Sequence, residues 1–363
     1  MDVRYATREE EQSIQVVGPA PAPSRSPRLH RSNAALAGFA RVAAGAGFAY
    51  LDVDGAALTN PAALARIRAL AIPPAWRDVW ICPDPLGHLQ ATGVDAAGRR
   101  QYRYHDLWSQ QRAHAKFEHM VAFARTLPAM RESVLATMRG GHDLDRGRVL
   151  ACSVRLLDVG MFRIGSEVYE KEDGHLGLAT IAKANVSIEP GRAVFDYIAK
   201  EGVHRVHAVA DPCCVEIVGG LKRRRGGGDH LLAFREGRAW HQVHAPLINT
   251  HLKSLIGDSF SAKNFRTWNG TVLAAMALAR CEADCATERG RRKAIRQATT
   301  EVSDVLGNTP AVARGSYIDP RVFDRFLSGW TIAGQLRCIE ERGLAQEERR
   351  VAVELAVLDL LTA

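Results

Sequence analysis

Hydrophobic and polar positions change rhythm along this chain, and the changes divide it. Residues 1–35 carry Pro19-Ala20-Pro21-Ala22-Pro23-Ser24-Arg25-Ser26-Pro27 and no hydrophobic period, which predicts a mobile tail. From Leu36 to His105 short apolar stretches alternate with turn signals. Phe48 to Val53 precedes Asp54-Gly55, and Val79 to Cys82 precedes Pro83-Asp84-Pro85-Leu86-Gly87, so both read as strands. A helix is expected over Pro61 to Leu70. After Leu107 the period lengthens. Ser109 to Thr126, Met130 to Met138, Arg146 to Phe162 and Thr271 to Ala286 repeat their apolar positions at helical spacing. Alternation returns only between Ala184 and Ala210, where Val186-Ser187-Ile188 and Ala193 to Tyr197 flank the turn Glu189-Pro190-Gly191-Arg192. The expected fold is α+β: a tail (1–35), a small β-rich domain (36–112), and a larger, mainly helical domain (113–363) with a small β-hairpin sheet. Helices are expected from the loop Lys222 to Gly228 onward, and no internal repeat is visible.

Composition adds bounds. A chain of 363 residues holds two domains, and 47% hydrophobic with 24% charged residues is ordinary for a soluble globular protein. Lys and Arg number 48 against 40 Asp and Glu, and the net charge of +8 favours a polyanionic partner without requiring one. Seven cysteines, an odd number with no CxxC pair and no secretory signal, read as reduced thiols. Cys281 and Cys285 stand four apart on a helical stretch, but no second ligand pair lies at zinc spacing. His204 with His207, and His241 with His244, are poor ligand pairs because i and i+3 on a strand face opposite ways. No metal or cofactor is expected, and no apolar run reaches membrane-spanning length.

Five positions carry chemistry. They are Arg163 in Met161-Phe162-Arg163-Ile164-Gly165, Lys200 in Ala199-Lys200-Glu201-Gly202, Arg266 in Lys263-Asn264-Phe265-Arg266-Thr267-Trp268, Asn308, and Tyr317 nine residues later. A phosphodiester repels nucleophiles, and its transition state spreads more charge over the equatorial oxygens, so fixed cations must supply the stabilisation. Two guanidinium forks can grip nonbridging oxygens bidentately without losing their charge. Asn308 adds a neutral donor. Lys200 suits protonation of a departing 5′ oxygen, and Tyr317 suits the nucleophile. Taken singly, each residue reads by default as packing, a helix-end ion pair or a solvated strand end, and only their joint order raises the catalytic reading.

With these motifs in place the chain resembles the type IB DNA topoisomerases of the small bacterial and poxvirus-like group. The resemblance rests on Met161 to Glu167, the hairpin Phe195 to Gly202, Phe260 to Thr271 and Gly307 to Ile318. In the first domain it rests on Ala71 to Trp76, Val79 to Cys82, Gly87 to Gly93 and Gly98 to His105, all in one order. It implies that Arg163, Lys200, Arg266, Asn308 and Tyr317 are the catalytic set, with Asn308 standing where many relatives have histidine. It further implies relaxation of supercoiled double-stranded DNA through a transient 3′-phosphotyrosyl link, without ATP or metal. The expected actor is a monomeric two-domain clamp, cytoplasmic and nucleoid-associated in a bacterium.

Candidate DNA contacts follow. Tyr102 and Tyr104 are alternate strand residues on one face, with Arg99, Arg100 and Arg103 beside them. Lys222, Arg223, Arg224 and Lys263 are basic positions of the second domain that suit phosphate contacts, although a solvated loop reads the same way. Two other functions remain open. A tyrosine recombinase shares the chemistry but normally carries its second arginine in a His-x-x-Arg box, where this chain has Lys263-x-x-Arg266. An inactive architectural DNA-binding protein would not need every catalytic position filled by a competent residue.

Overall fold

The structure, a computed structural model, describes residues 27–167, 170, 174–281 and 287–363. The chain divides into two units, Met1–His114 and Ala115–Ala363. The smaller unit is a five-stranded antiparallel sheet in the order β2-β1-β3-β4-β5, built from β1 (Phe39–Ala44), β2 (Gly47–Leu51), β3 (Arg77–Ile81), β4 (Leu89–Val94) and β5 (Arg100–Tyr104). Alternation along β3 sends Val79 and Ile81 inward, where they meet Ala91 and Ile67 in a buried cluster. Ile67 belongs to α1 (Pro61–Ala69), which starts where the Asn60 side chain accepts the Ala63 amide at 3.0 Å and Pro61 fills the first turn. Of the expected tail, residues 1–26 lie outside the described residues. Its end is held. The His30 N–H donates to Leu86 O, the His30 carbonyl accepts the His88 N–H, and the Ser32 hydroxyl donates to Leu89 O at 2.8 Å.

The larger unit is mainly helical. The two helices expected on either side of Pro128 are one, α2 (Asp106–Arg139). An interior proline costs about 3 kcal/mol or more. The buried stripe of Phe123, Leu127, Met130, Val134 and Met138 runs unbroken past it, and that packing outweighs the lost hydrogen bond. Next come α3 (Arg146–Gly160), α4 (Pro212–Arg223), α5 (Ala245–Ile256), α6 (Ala262–Ala279) and α7 (Glu288–Leu306). The chain then runs through α8 (Pro310–Ser316), α9 (Pro320–Leu327), α10 (Ala333–Glu341) and α11 (Gln346–Thr362). Helix α6 begins nine residues ahead of the expected Thr271, so Arg266 is helical; residues 282–286, with Cys285, lie outside the described residues.

Strands β6 (Val186–Glu189), β7 (Arg192–Ile198) and β8 (His204–Val209) form the expected small sheet, in that order. A second hairpin, β9 (Ala233–Glu236) with β10 (Ala239–Gln242), corrects the all-helical expectation past residue 228. Its period-2 signal is only four residues long on each side of Gly237, too short to stand out against the neighbouring helices.

Helix α3 is buried almost throughout and carries charge into the core. Asp158, 1% exposed, receives the Arg131 guanidinium through two bonds of 2.9 Å, Arg155 at 3.3 Å and Arg350 at 2.5 Å. Glu354 closes the ring on Arg131 at 2.7 Å, and Glu347 takes Arg155 at 2.6 Å. Buried charges persist only when paired and hydrogen-bonded. This ring ties α11 to α2 and to the last turn of α3. No described helix is long and apolar enough to cross a membrane.

Candidate active site

Chain reversals place the site's parts. Helix α7 ends at Gly307, in the left-handed region at φ 61°, with the Asn308 amide donating back to Ser303 O at 2.9 Å. Thr309 then caps α8 and Pro310 opens it, so Asn308 is fixed between two helix ends. Arg163 follows the α3 cap, where Met161 itself takes a left-handed conformation.

Arg163 Nη2 donates to Gly307 O at 2.9 Å and to Asn308 Oδ1 at 2.5 Å. The second contact orients the amide, since a guanidinium only donates and the atom facing it must be the carbonyl oxygen. Asn308 Nδ2 is therefore aimed elsewhere, and it is buried with no partner among the described residues. Arg266, 4% exposed, is held by Met161 O at 2.6 Å through Nη1 and by Leu306 O at 2.7 Å through Nη2. Its Nε is likewise buried and unpartnered. Its guanidinium carbon lies 5.2 Å from the centre of the Tyr317 ring. Burial first, and then the Arg163 charge, push the Arg266 guanidinium down to about 10, with Tyr317 opposing. It stays cationic at neutral pH. Buried donors without acceptors are costly in a folded protein, and one on the guanidinium beside the phenol with another on the amide that Arg163 holds suit an incoming oxyanion.

Tyr317 ends α8, its amide donating to Ala313 O at 2.9 Å. It lies against Gly270 of α6. A Cβ there would come within 2.8 Å of Tyr317 O, which only glycine avoids. The structure thus brings together Arg163, Arg266, Asn308 and Tyr317. Lys200 is not hydrogen-bonded to them: it is exposed on the turn joining β7 to β8, where Glu201 and Gly202 both have positive φ.

Three neighbours were not legible in the sequence. Arg205 on β8 donates to Asp304 O at 2.8 Å and Val305 O at 2.5 Å, fastening the strand that follows Lys200 to the end of α7. Tyr197 is buried within the electrostatic reach of Arg205, Arg266 and Arg163; burial raises its phenol above the usual range while the three cations oppose. Lys116 on α2 donates to Ser316 O at 2.6 Å. Each depends on partners about a hundred or more residues away or on burial, and none has a local motif.

The basic positions separate by partner. Lys222 is spent on the carbonyls of Lys183 and Val186, and Arg224, 8% exposed, donates to the carbonyls of Leu221, Leu231 and His230. Lys222 thereby ties the end of α4 to the start of β6, and Arg224 closes the loop that follows it. Arg223 and Lys263 are exposed. In the smaller unit Tyr102 and Tyr104 are 49% and 44% exposed and stack at 6.2 Å, with Arg100 next along the same face of β5. Arg99 pairs with Asp95 at 3.0 Å, and Arg103 turns to Ala71 O at 3.1 Å. No group of three or more metal-ligating side chains occurs among the described residues.

Two family profiles and a viral protein match the chain. The profile of the family described as "Eukaryotic DNA topoisomerase I, catalytic core" matches residues 106–356, and that of "Bacterial DNA topoisomerase IB, N-terminal domain" matches residues 47–95. A DNA topoisomerase 1B of Acanthamoeba polyphaga mimivirus is 26% identical over 291 residues, covering 78% of this chain and 85% of the viral protein.

Proposed function

The chain belongs to the type IB DNA topoisomerases, isomerases that change DNA topology, and from that premise we propose that it relaxes supercoiled duplex DNA by nicking one strand with Tyr317. The phenolic oxygen bonds to phosphorus, the bond from phosphorus to the 5′ oxygen breaks, and a 3′-phosphotyrosyl link with a free 5′-hydroxyl results. The phenolic proton leaves to solvent and the 5′ oxygen takes one from Lys200. Strain drives rotation of the free end, and the reverse transfer reseals the strand. Because the ester is exchanged and not hydrolysed, its energy stays in the adduct and no nucleotide is called for.

The observation that carries this reading is a pair of buried donors without partners among the described residues, Arg266 Nε on the guanidinium beside the Tyr317 ring and Asn308 Nδ2 on the amide that Arg163 holds. They and the Arg163 charge address the oxygens on which transition-state charge develops. In this reading they supply the stabilisation that a divalent ion would otherwise bring. Lys200 is exposed, with no hydrogen-bond partner among the described residues, and the turn that bears it can deliver its ammonium when DNA is bound. The exposed Tyr102, Tyr104 and Arg100 offer stacking and phosphate contacts, and Arg223 and Lys263 offer further phosphate contacts. All five catalytic groups come from one chain, so a monomer suffices.

The test is relaxation of supercoiled plasmid in EDTA without nucleotide, with peptide mapping of the trapped adduct. A topoisomer ladder and a nucleotide on Tyr317 are expected, and Tyr317→Phe should form neither while still binding DNA. An adduct that persists in the phenylalanine protein, or one linked to a 5′ phosphate, overturns the reading. Recombinant products at a defined site would point to a recombinase instead.

A further inference from the structure

The chain around Tyr317 is held more tightly than a loop after a seven-residue helix requires. The peptide unit that joins Ser316 to Tyr317 has two hydrogen-bonding groups, and both are engaged. Its N–H donates to Ala313 O at 2.9 Å, and its carbonyl accepts the Lys116 ammonium at 2.6 Å. On the far side of Tyr317, Asp319 N donates to Thr271 Oγ1 at 3.1 Å, and the Asp319 carboxylate pairs with Arg321, which also reaches Glu118 of α2. The final carbonyls of a helix have no partner within it. Here a charged side chain from a distant element supplies one, at the residue next to the nucleophile.

That contact is made against resistance. Lys116 is half-buried with its ammonium 4.5 Å from the Phe117 ring, and Lys263 of α6 is a like charge close by; Asp319 is the carboxylate that opposes it. Burial first, and then Lys263, push the ammonium down to about 8. A lysine usually carries its head to water along an apolar stem. This one turns inward to a single carbonyl.

We infer that Lys116 is a positioning residue for the nucleophile, fixing the peptide ahead of Tyr317 so that the phenol meets phosphorus in line. The inference rests on Tyr317 being the nucleophile. The ammonium acts on the main chain and transfers no proton to the leaving oxygen. Misplacement of a reacting group by about 1 Å costs on the order of 10² in rate, which sets the expected defect.

Single-turnover cleavage of an end-labelled duplex tests it, using an ordinary substrate and one with sulfur at the 5′-bridging position. Lys116→Met is expected to slow cleavage about 10²-fold on both substrates, with DNA affinity within about twofold, because binding is spread over many phosphates. Lys116→Arg, which keeps the charge and the donor, should recover to within about tenfold of wild type. Wild-type cleavage by the methionine protein overturns the inference. So does a defect erased by the sulfur leaving group, which would make Lys116 a proton donor, or one matched by an equal loss of affinity, which would make it a phosphate contact. Should the methionine protein lose its cooperative melt, Lys116→Gln keeps a neutral N–H donor and is expected to be about tenfold slow; wild-type rates there overturn the inference equally. Absence of a Tyr317 adduct in the unmodified protein would instead sink the assignment of the nucleophile.

Discussion

Asn308→Asp separates the two jobs of one amide. The carboxylate keeps an oxygen where Arg163 Nη2 now donates at 2.5 Å, and the neighbouring cation holds it ionised. The fold should therefore be retained, or gain slightly from a charge-assisted pair. The other atom changes from a buried, unpartnered donor into a charged acceptor. Losing one transition-state donor costs about 3 kcal/mol, or roughly 10² in rate. A carboxylate about 5 Å from a phosphate oxygen, at an effective dielectric of about 20, adds roughly 3 kcal/mol of repulsion and a further factor of about 10². Cleavage should fall about 10⁴-fold, against about 10² for Asn308→Ala, which removes the donor without adding charge. Asn308→His restores a donor and should be tolerated. Single-turnover cleavage at saturating protein gives the rates, and a thermal melt checks the fold. An aspartate protein that cleaves as fast as the alanine protein would refute the reasoning, because the free amide nitrogen would then not face the phosphate.

Two further outcomes are expected. Lys200→Ala should slow cleavage of an ordinary duplex by about 10² to 10⁴ and be largely rescued by sulfur at the 5′-bridging position; equal defects on both substrates would leave Lys200 as a phosphate or base contact. Asp158→Asn leaves three guanidinium groups around a neutral amide, and should cost about 3–5 kcal/mol and lower Tm by on the order of 10 °C. Burial pushes the Asp158 carboxyl up, but Arg350 and Arg131 hold it well below the usual range. A depressed carboxyl contributes stability that is present above its unfolded value near about 4 and is lost as pH falls further, so the wild-type Tm should drop below that pH while the asparagine protein loses that part of the dependence. Parallel acid profiles would remove Asp158 from the account.

How far the sequence reached depended on how local each signal was. Arg163 and Asn308 stand in short segments punctuated by their own turn residues, Gly165 and Gly307 with Pro310, and Tyr317 follows nine residues after Asn308, so the motifs could be read. Tyr102 and Tyr104 followed from strand alternation alone, and they do share an exposed, stacked face. Pro128 misled because its penalty is local and visible while the stripe from Phe123 to Met138 that overrides it is tertiary. The carbonyl partners of Arg224 and Lys222 were hidden for the converse reason. A basic run after a helix looks solvated, and nothing nearby in sequence announces that the carbonyls of His230 and Val186 will claim two of its members. Lys116 and Ser316 are two hundred residues apart, and no pattern within either segment points to the other.

The cations of the site share a manner of support. Arg163 rests in part on the carbonyl of Gly307, Arg205 on those of Asp304 and Val305, Arg266 on those of Met161 and Leu306, and Lys116 on that of Ser316. A carbonyl belongs to every residue type, so replacing the side chain at a supporting position leaves the support standing as long as the backbone keeps its path. Drift in Asp304, Val305 or Leu306 is thereby uncoupled from drift in the arginines they hold, and few paired changes are forced on the lineage. A site braced in this way can keep its geometry while the side chains around it are exchanged.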